Sequence, residues 1–429
     1  MSAISTLNTL NKNSSALSKS LQKVSSGMKI NSAADDASGY AISERMRVQI
    51  RSLDQANSNT QNGSSMMKVA EGAVSSTVDI LKTLKEKVIN AANDSNTDDD
   101  RATIQKELDQ SIDQINDNAN VTFNGKYLVD GSHNSKVAAT TTSLTNESLF
   151  STTASNTAFS AMQDRNGNSL NITSMDTVTI SFVKEGKTYT TSVSAGTGTL
   201  ANLISTANTA AGATAFNTTV GSGSYIGKNA AGDTVGTADE GNAITISAGG
   251  TGVANQISGI TISVTNTSGA VNKSANAVLD NFTEKVRAQN NSDDNAISLQ
   301  VGTKANQTIK VGLTDMRAEA LGLQSSSGAT IQIGTQKQAN AAVNVLDSAV
   351  QKALDQQTTI GAAESRLEYT SSNLTTASEN VQSSESTIRD ADMAKEMTEY
   401  TKNNVLLQAA QSMLSQANQN SSSVLSLLK

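Results

Sequence analysis

The chain has 429 residues, of which 36% are hydrophobic and 3% aromatic, with no Trp, no Cys and no Pro. The absence of Cys excludes disulfides and thiolate chemistry, and a single His excludes the usual zinc sites and His-dependent nucleophile systems. A net charge of −7 argues against a general nucleic-acid binder, and no apolar run reaches the roughly 18 residues of a membrane span.

Average usage would place about 21 Pro in a chain of this length. Their absence suits long uninterrupted helices, because an interior Pro costs about 3 kcal/mol, and it removes the slow cis/trans step in refolding. An apolar fraction below the usual ~45–50% argues against one compact core for the whole chain. The start, Met1-Ser-Ala-Ile-Ser-Thr6, lacks the apolar core of a signal peptide. Any export therefore leaves the amino terminus uncleaved.

Residues 1 to about 118 carry a helical pattern. Ala3, Leu7, Leu10, Ser14, Leu17, Leu21, Val24 and Met28 keep a 4-3 spacing, the seam of a coiled coil. Gly27 and Gly39 interrupt the pattern. A second seam runs from Met46, Ile50 and Leu53 through Asn57, Thr60, Met67, Val74, Val78 and Leu81 to Val88 and Ala92. Beside it lies a third, through Met66, Ala70, Ala73, Thr77, Ile80, Leu84 and Ala91, so this helix is expected to touch more than one neighbour. Asp98 or Asp99 is expected to cap a shorter helix carrying Ile104, Leu108, Ile112 and Ile115 on one face.

Residues from about 133 to 296 are rich in Gly, Ser, Thr, Asn and Ala. Asp176–Phe182 and Lys187–Val193 alternate with period two around Glu185-Gly186, which predicts a hairpin. Ala243–Ser247 and Gly259–Val264 read as strands, Leu200–Ala211 as a short helix, and Ile297–Val301 with Thr308–Leu313 as a further hairpin. The helical pattern then returns. Val343, Leu346, Val350, Ala353, Gln357, Ile360, Glu364, Leu367, Ser371, Leu374, Ser378, Val381, Glu385 and Ile388 hold the 4-3 spacing, a rod of roughly 70 Å at 1.5 Å per residue. The last stretch adds Leu406, Leu407, Met413 and Leu414, and from Asn403 to Leu428 it has no charged residue. A protein partner is expected to cover so apolar a face. Ser, Thr, Asn, Gln and Glu dilute all these seams, and buried polar seam residues specify register while weakening the pair.

The fold class expected is mainly α with an inserted β-rich (α+β) domain. Both chain ends form long coiled-coil or helical-bundle rods, and β-hairpins complete the fold. The candidate chemistry does not converge. Asp98-Asp99-Asp100 lies at a helix start, where negative charge complements the dipole. Gly249-Gly-Thr-Gly252 lacks the Lys-Ser/Thr of a phosphate-binding loop. Glu44 with Arg45, Arg47 and Arg51 reads as a charged helix face, solvated or turned toward another subunit. No catalytic residue, cofactor or metal ligand is assigned.

Three segments carry a resemblance. Ser25-Ser-Gly-Met-Lys-Ile-Asn-Ser-Ala-Ala-Asp-Asp-Ala-Ser-Gly-Tyr-Ala-Ile-Ser-Glu-Arg-Met-Arg47 resembles the amino-terminal signature of bacterial flagellins. Phe123-Asn-Gly-Lys-Tyr-Leu-Val-Asp-Gly131 resembles the close of that family's first helical half, and Ser412–Lys429 its carboxyl terminus. The resemblance covers residues 1–132 and 297–429. It implies a structural subunit of the flagellar filament with nested domains. Residues 1–35 and 389–429 would form an inner coiled coil lining the filament channel, 36–132 and 297–388 a helical rod with a hairpin, and 133–296 an outward-facing variable insert.

The self-assembly residues implied on the inner helices are Leu7, Leu10, Leu17, Leu21, Val24, Met28, Leu406, Leu407, Met413, Leu414, Leu425 and Leu428. The implied partners are further copies of the chain, the flagellar export apparatus, an export chaperone on the carboxyl-terminal segment, and the filament cap and junction proteins. The implied location is the extracellular filament. Ile80–Asn93 aligns with the region read by a Toll-like innate immune receptor. Thr83 and Lys87 stand where stimulatory members carry Arg and Leu, and Glu107 matches their acidic contact. Flagellins commonly carry several residues before the Ser-Ala-Ile that here follows Met1, which implies a late-starting inner helix or an alternative start. A hook–filament junction protein shares such helical ends and is the alternative. The metallopeptidase insert of some flagellins is excluded, since no His-Glu-x-x-His is present.

Overall fold

The computed structural model describes residues 2–212, 215–217, 221–237 and 241–427. Three helices come first: α1 (Ser2–Ser26), α2 (Ala37–Ala91) and α3 (Asp98–Ala119). A mostly β middle follows, with β1 (Thr122–Phe123), β2 (Lys126–Tyr127), β3 (Ser143–Asn146), β4 (Thr177–Lys184) and β5 (Lys187–Ser194). It continues through α4 (Leu200–Ala210), β6 (Gly221–Gly223), β7 (Tyr225–Lys228), β8 (Thr234–Gly236), β9 (Ala243–Ser247), β10 (Ile257–Thr265), α5 (Lys273–Leu279) and β11 (Thr283–Val286). The chain closes with β12 (Ile297–Gln300), β13 (Thr308–Val311), α6 (Ala318–Leu321), α7 (Gln336–Arg389) and α8 (Met393–Leu427). Helical ends around an insert of small antiparallel sheets are the expected class. Packing divides the chain into two units, one of Met1–Asn62, Gln300–Thr308 and Leu367–Lys429, the other of Gly63–Leu299 and Ile309–Arg366.

In the first unit α1 packs against α8, and the early turns of α2 meet the late turns of α7 through Leu53, Ala56 and Leu374. Polar seam residues bond across this contact. Ser371 donates to Asn57 Oδ1 at 2.7 Å, and Ser378 to Asp54 at 3.0 Å. Such pairs fix register, since a slipped pairing would leave them unmatched. Gly27, at φ +70°, ends α1 in the left-handed conformation that glycine adopts without a Cβ clash. Contrary to the expectation, Gly39 does not interrupt a helix; it lies inside the first turn of α2. Asp36 Oδ1 accepts from the Ser38 and Gly39 amides and caps the turn. A Cβ on Gly39 would lie 2.6 Å from Asp36 Oδ2 and 2.7 Å from the Ile30 side chain, which is the reason for glycine there.

In the second unit both seams of α2 are buried, Met67, Val74, Val78, Leu81 and Val88 on one and Met66, Ala70, Ala73, Leu84 and Ala91 on the other. Leu108, Ile112 and Ile115 of α3 are buried as well. The cap of α3 is not Asp98 or Asp99 but Thr97. Its hydroxyl accepts from the Asp100 amide while Asp100 accepts from the Thr97 amide, a reciprocal box that a lone Asp cap lacks.

The insert builds a three-stranded sheet ordered β10-β4-β5 and a four-stranded sheet ordered β11-β3-β9-β6. Lys184 pairs with Lys187 across Glu185 and Gly186, both at positive φ, so the expected hairpin is present with a two-residue turn. Phe159, Phe182 and Phe216 are fully buried in its core. Three loops of the insert repeat one device, starting at Asp164, Asn229 and Asn266. In each, the side-chain oxygen accepts from the amides two and four residues on, and a glycine at the fourth position has positive φ. β12 and β13 pair as the second expected hairpin.

Candidate assembly surfaces

The joint of the first unit is built from residues far apart in the chain. The Lys29 amide donates to the Arg389 carbonyl at 2.8 Å, and the Ala391 amide to the Gly27 carbonyl at 2.9 Å. Arg389 is 6% exposed. Its Nη1 donates to Glu44 at 2.7 Å, its Nε lies 3.0 Å from the Met28 sulfur, and its guanidinium sits 5.5 Å from the centre of the Tyr40 ring. The hydrogen bond from Arg389 holds the Glu44 carboxyl below its ordinary range. No heptad pattern announces this cluster, because its members meet only when the ends of four helical segments converge.

Beyond the joint, α1 and α8 are held by few polar contacts. Lys23 pairs with Glu396 at 3.5 Å, Asn403 donates to Ser20 at 2.9 Å, and Asn13 to the Leu406 carbonyl at 3.2 Å. The apolar stripe is only partly covered. Leu10, Leu17, Val24, Met28, Leu407 and Leu414 are half-buried. Leu7, Leu21, Leu406 and Met413 are exposed, Met413 by 63%, and so are Ile4 and Val405. Leu425 lies on the α8 backbone, and Leu428 lies outside the described residues. A single chain therefore leaves on its terminal helices a run of apolar side chains that water does not favour.

The three receptor-region positions fall in the second unit. The structure joins two of them: Lys87 Nζ pairs with Glu107 at 2.9 Å. Thr83 is exposed and donates to the Asp79 carbonyl of its own helix. Sequence reasoning also missed a charged cluster where the insert meets α7, with Glu284 and Lys352 buried and Arg287 and Asp355 at its rim. Glu284 lies 3.8 Å from Lys352, and Arg287 pairs with Asp355 at 2.6 Å. Burial pushes the Glu284 carboxyl up and the Lys352 ammonium down. Its sequence signal is faint, a Lys at position 352 that follows the buried Val345, Leu346 and Ala349 on α7. Among the described residues no cluster of three or more His, Cys, Asp or Glu is placed to hold a metal, and no helix is long and apolar enough to cross a membrane.

Paired helical ends with uncovered apolar stripes, carrying a β-rich insert, define a self-assembling structural subunit. Residues 1–134 match the bacterial flagellin N-terminal helical region, and residues 343–428 the C-terminal helical region. A flagellin of Clostridium tyrobutyricum is 33% identical over 96% of this chain and 96% of its own length. A flagellin of Bacillus subtilis is 29% identical over 100% of this chain and 98% of its own. The chain belongs to the bacterial flagellin family and is a structural, non-enzymatic subunit of the flagellar filament. Among solved structures, a flagellar hook associated protein-3 of Legionella pneumophila covers 80% of this chain and 97% of its own at 16% identity. Its TM-score is 0.34.

Proposed function

We propose that this flagellin polymerises through its terminal helices, with residues 1–35 and 389–429 forming the inner wall of an extracellular filament used for swimming. Residues 36–132 and 297–388 form the surrounding rod, and residues 133–296 face outward. The observation that carries the reading is the exposure of Leu7, Leu21, Leu406 and Met413 on the apolar stripe of α1 and α8. Stacking subunits would bury it at about 25 cal/mol per Å² of apolar surface. Export unfolded through the flagellar apparatus suits a chain without Pro and with dilute seams. A chaperone on the uncharged carboxyl-terminal stretch would keep it soluble until a cap and the junction proteins receive it. We further propose the region around Thr83, Lys87 and Glu107 as the surface that would face a Toll-like receptor, with recognition weakened because Lys87 competes for the Glu107 carboxylate.

Negative-stain microscopy of purified protein, with and without short filament seeds, tests the reading. Filaments that lengthen from seeds are expected. Folded monomer that never polymerises, even on seeds, contradicts it.

A further inference from the structure

Two exposed helix faces of the first unit carry opposite charge, and among the described residues their charged side chains form no ion pair. On α2, Arg45, Val48 and Arg51 lie on the side turned away from the Leu53 and Asn57 seam, given 3.6 residues per turn. Val48 is 62% exposed, and among the described residues the Arg45 and Arg51 side chains make no ion pair or hydrogen bond. Glu44 does not neutralise them, since it is engaged by Arg389 and Arg47. Val48 and Arg51 also line a groove of about 430 Å³ whose other wall is Gln300, Gly302 and Thr303 of the hairpin loop.

On α7, Tyr369 lies opposite Leu374 and Ser371, and Glu368 and Glu379 lie on the flank between it and that seam. Tyr369 is 72% exposed. Glu368 and Glu379 are exposed and unpaired among the described residues. From Leu367 to Ile388 this helix carries Glu at 368, 379 and 385 and neither Lys nor Arg. An exposed Val between two free Arg and an exposed Tyr beside a free Glu are complementary in charge and in apolar content. An Arg over the Tyr ring adds a cation–π contact. Among the described residues no hydrogen bond or ion pair joins the two faces within one chain, which leaves their complementarity to a second copy.

We propose that the Arg45–Val48–Arg51 face of one subunit docks on the Glu368–Tyr369–Glu379 face of a second copy of this chain. The contact rests on the filament reading and gives it a lateral partner surface distinct from the terminal helices. It is head-to-tail, because each copy offers one face of each kind, and a contact of that type propagates into an open assembly. Its electrostatic part weakens as salt rises.

The test is a charge swap in the full-length chain, read as the critical concentration for seeded polymerisation. Arg51→Glu and Glu368→Arg each bring like charges together, and each should raise that concentration about tenfold. The double variant, Arg51→Glu with Glu368→Arg, re-creates the opposite pairing with its polarity reversed and should return to within about threefold of wild type. Circular dichroism and thermal unfolding of the monomers should match wild type, since all the positions are exposed. The proposal is overturned by singles that polymerise at the wild-type concentration, or by a double variant as defective as the singles. Wild-type protein that fails to polymerise would overturn the filament reading itself, and is thereby told apart from a failure confined to this contact.

Discussion

Arg389 and Glu44, 345 residues apart in sequence, share a 2.7 Å hydrogen bond at the point where α1 ends, α2 begins and α7 gives way to α8. Arg389 is the buried member; the Glu44 side chain is 41% exposed. The pair ties the first turns of α2 to the junction of α7 and α8.

Arg389→Ala should therefore destabilise the monomer by about 2–4 kcal/mol, combining a lost buried partner with lost packing against Met28 and Tyr40. Glu44→Gln keeps an acceptor and should cost less. Glu44 is held below its ordinary pKa, so its stabilisation is present above about pH 4.5 and fades as pH falls through the lowered value. Glu44→Gln should remove that acid-side dependence. Urea unfolding across pH checks both. If Arg389→Ala costs no more than the surface change Arg47→Ala, the joint is not held this way.

The long seams were the legible part of the fold. Leu53, Met67, Val74, Leu81 and Val88 on α2, and Leu346, Ala353, Ile360 and Leu367 on α7, are buried as their spacing predicts. The β4–β5 hairpin was legible because alternation and an Glu-Gly turn are both local signals. β3, Ser143–Asn146, was not: all four residues are buried, so nothing alternates. Its place in the sheet is set by distant pairs such as Thr145 with Thr245 at 3.2 Å. The Arg389 cluster was hidden for the same reason. On the candidate surface, the apolar residues of α1 and α8 were legible, but how little of them a single chain covers was not, because spacing reveals a stripe and not its occupant.

Asp280 gives a pH signature of opposite sign. It follows α5, accepts from the Ile262 amide at 3.0 Å, and is buried enough to push its pKa up to about 6. Its carboxyl is easier to protonate in the folded chain, so its contribution is present below about pH 4 and lost as pH rises through 6. Asp280→Asn keeps the acceptor and removes the buried charge. It should raise stability at pH 7.5 by about 1–3 kcal/mol and flatten the stability profile between pH 4 and 6. Thermal unfolding over that range checks it; a variant less stable than wild type at pH 7.5 contradicts it.

Removing residues 135–294 should leave a chain that still polymerises. The segment's ends are adjacent: the Asn295 amide donates to the Asn134 carbonyl at 3.1 Å, and Val137 bridges to Ser292. Close ends favour clean excision. The insert is not a free appendage, however. A Cβ on Gly259 would meet the Val345 amide of α7 at 2.9 Å, and Lys352 loses Glu284. The shortened filaments should therefore dissociate at lower temperature than full-length ones. Microscopy and a thermal dissociation curve read the outcome; folded monomer without filaments contradicts it.

Seeded polymerisation of Leu17→Asp and Leu414→Asp, set beside thermal unfolding of the same monomers, tests most directly that the terminal stripe is an assembly contact. Both side chains are half-buried in the single chain. Full burial of a Leu is worth about 1.5–3 kcal/mol, and a buried unpaired carboxylate costs several more, repeated in every subunit. Neither variant should form filaments, while the main unfolding transition of each monomer should stay near that of wild type. Normal filaments from either variant, or loss of the monomer's own transition, would contradict the account.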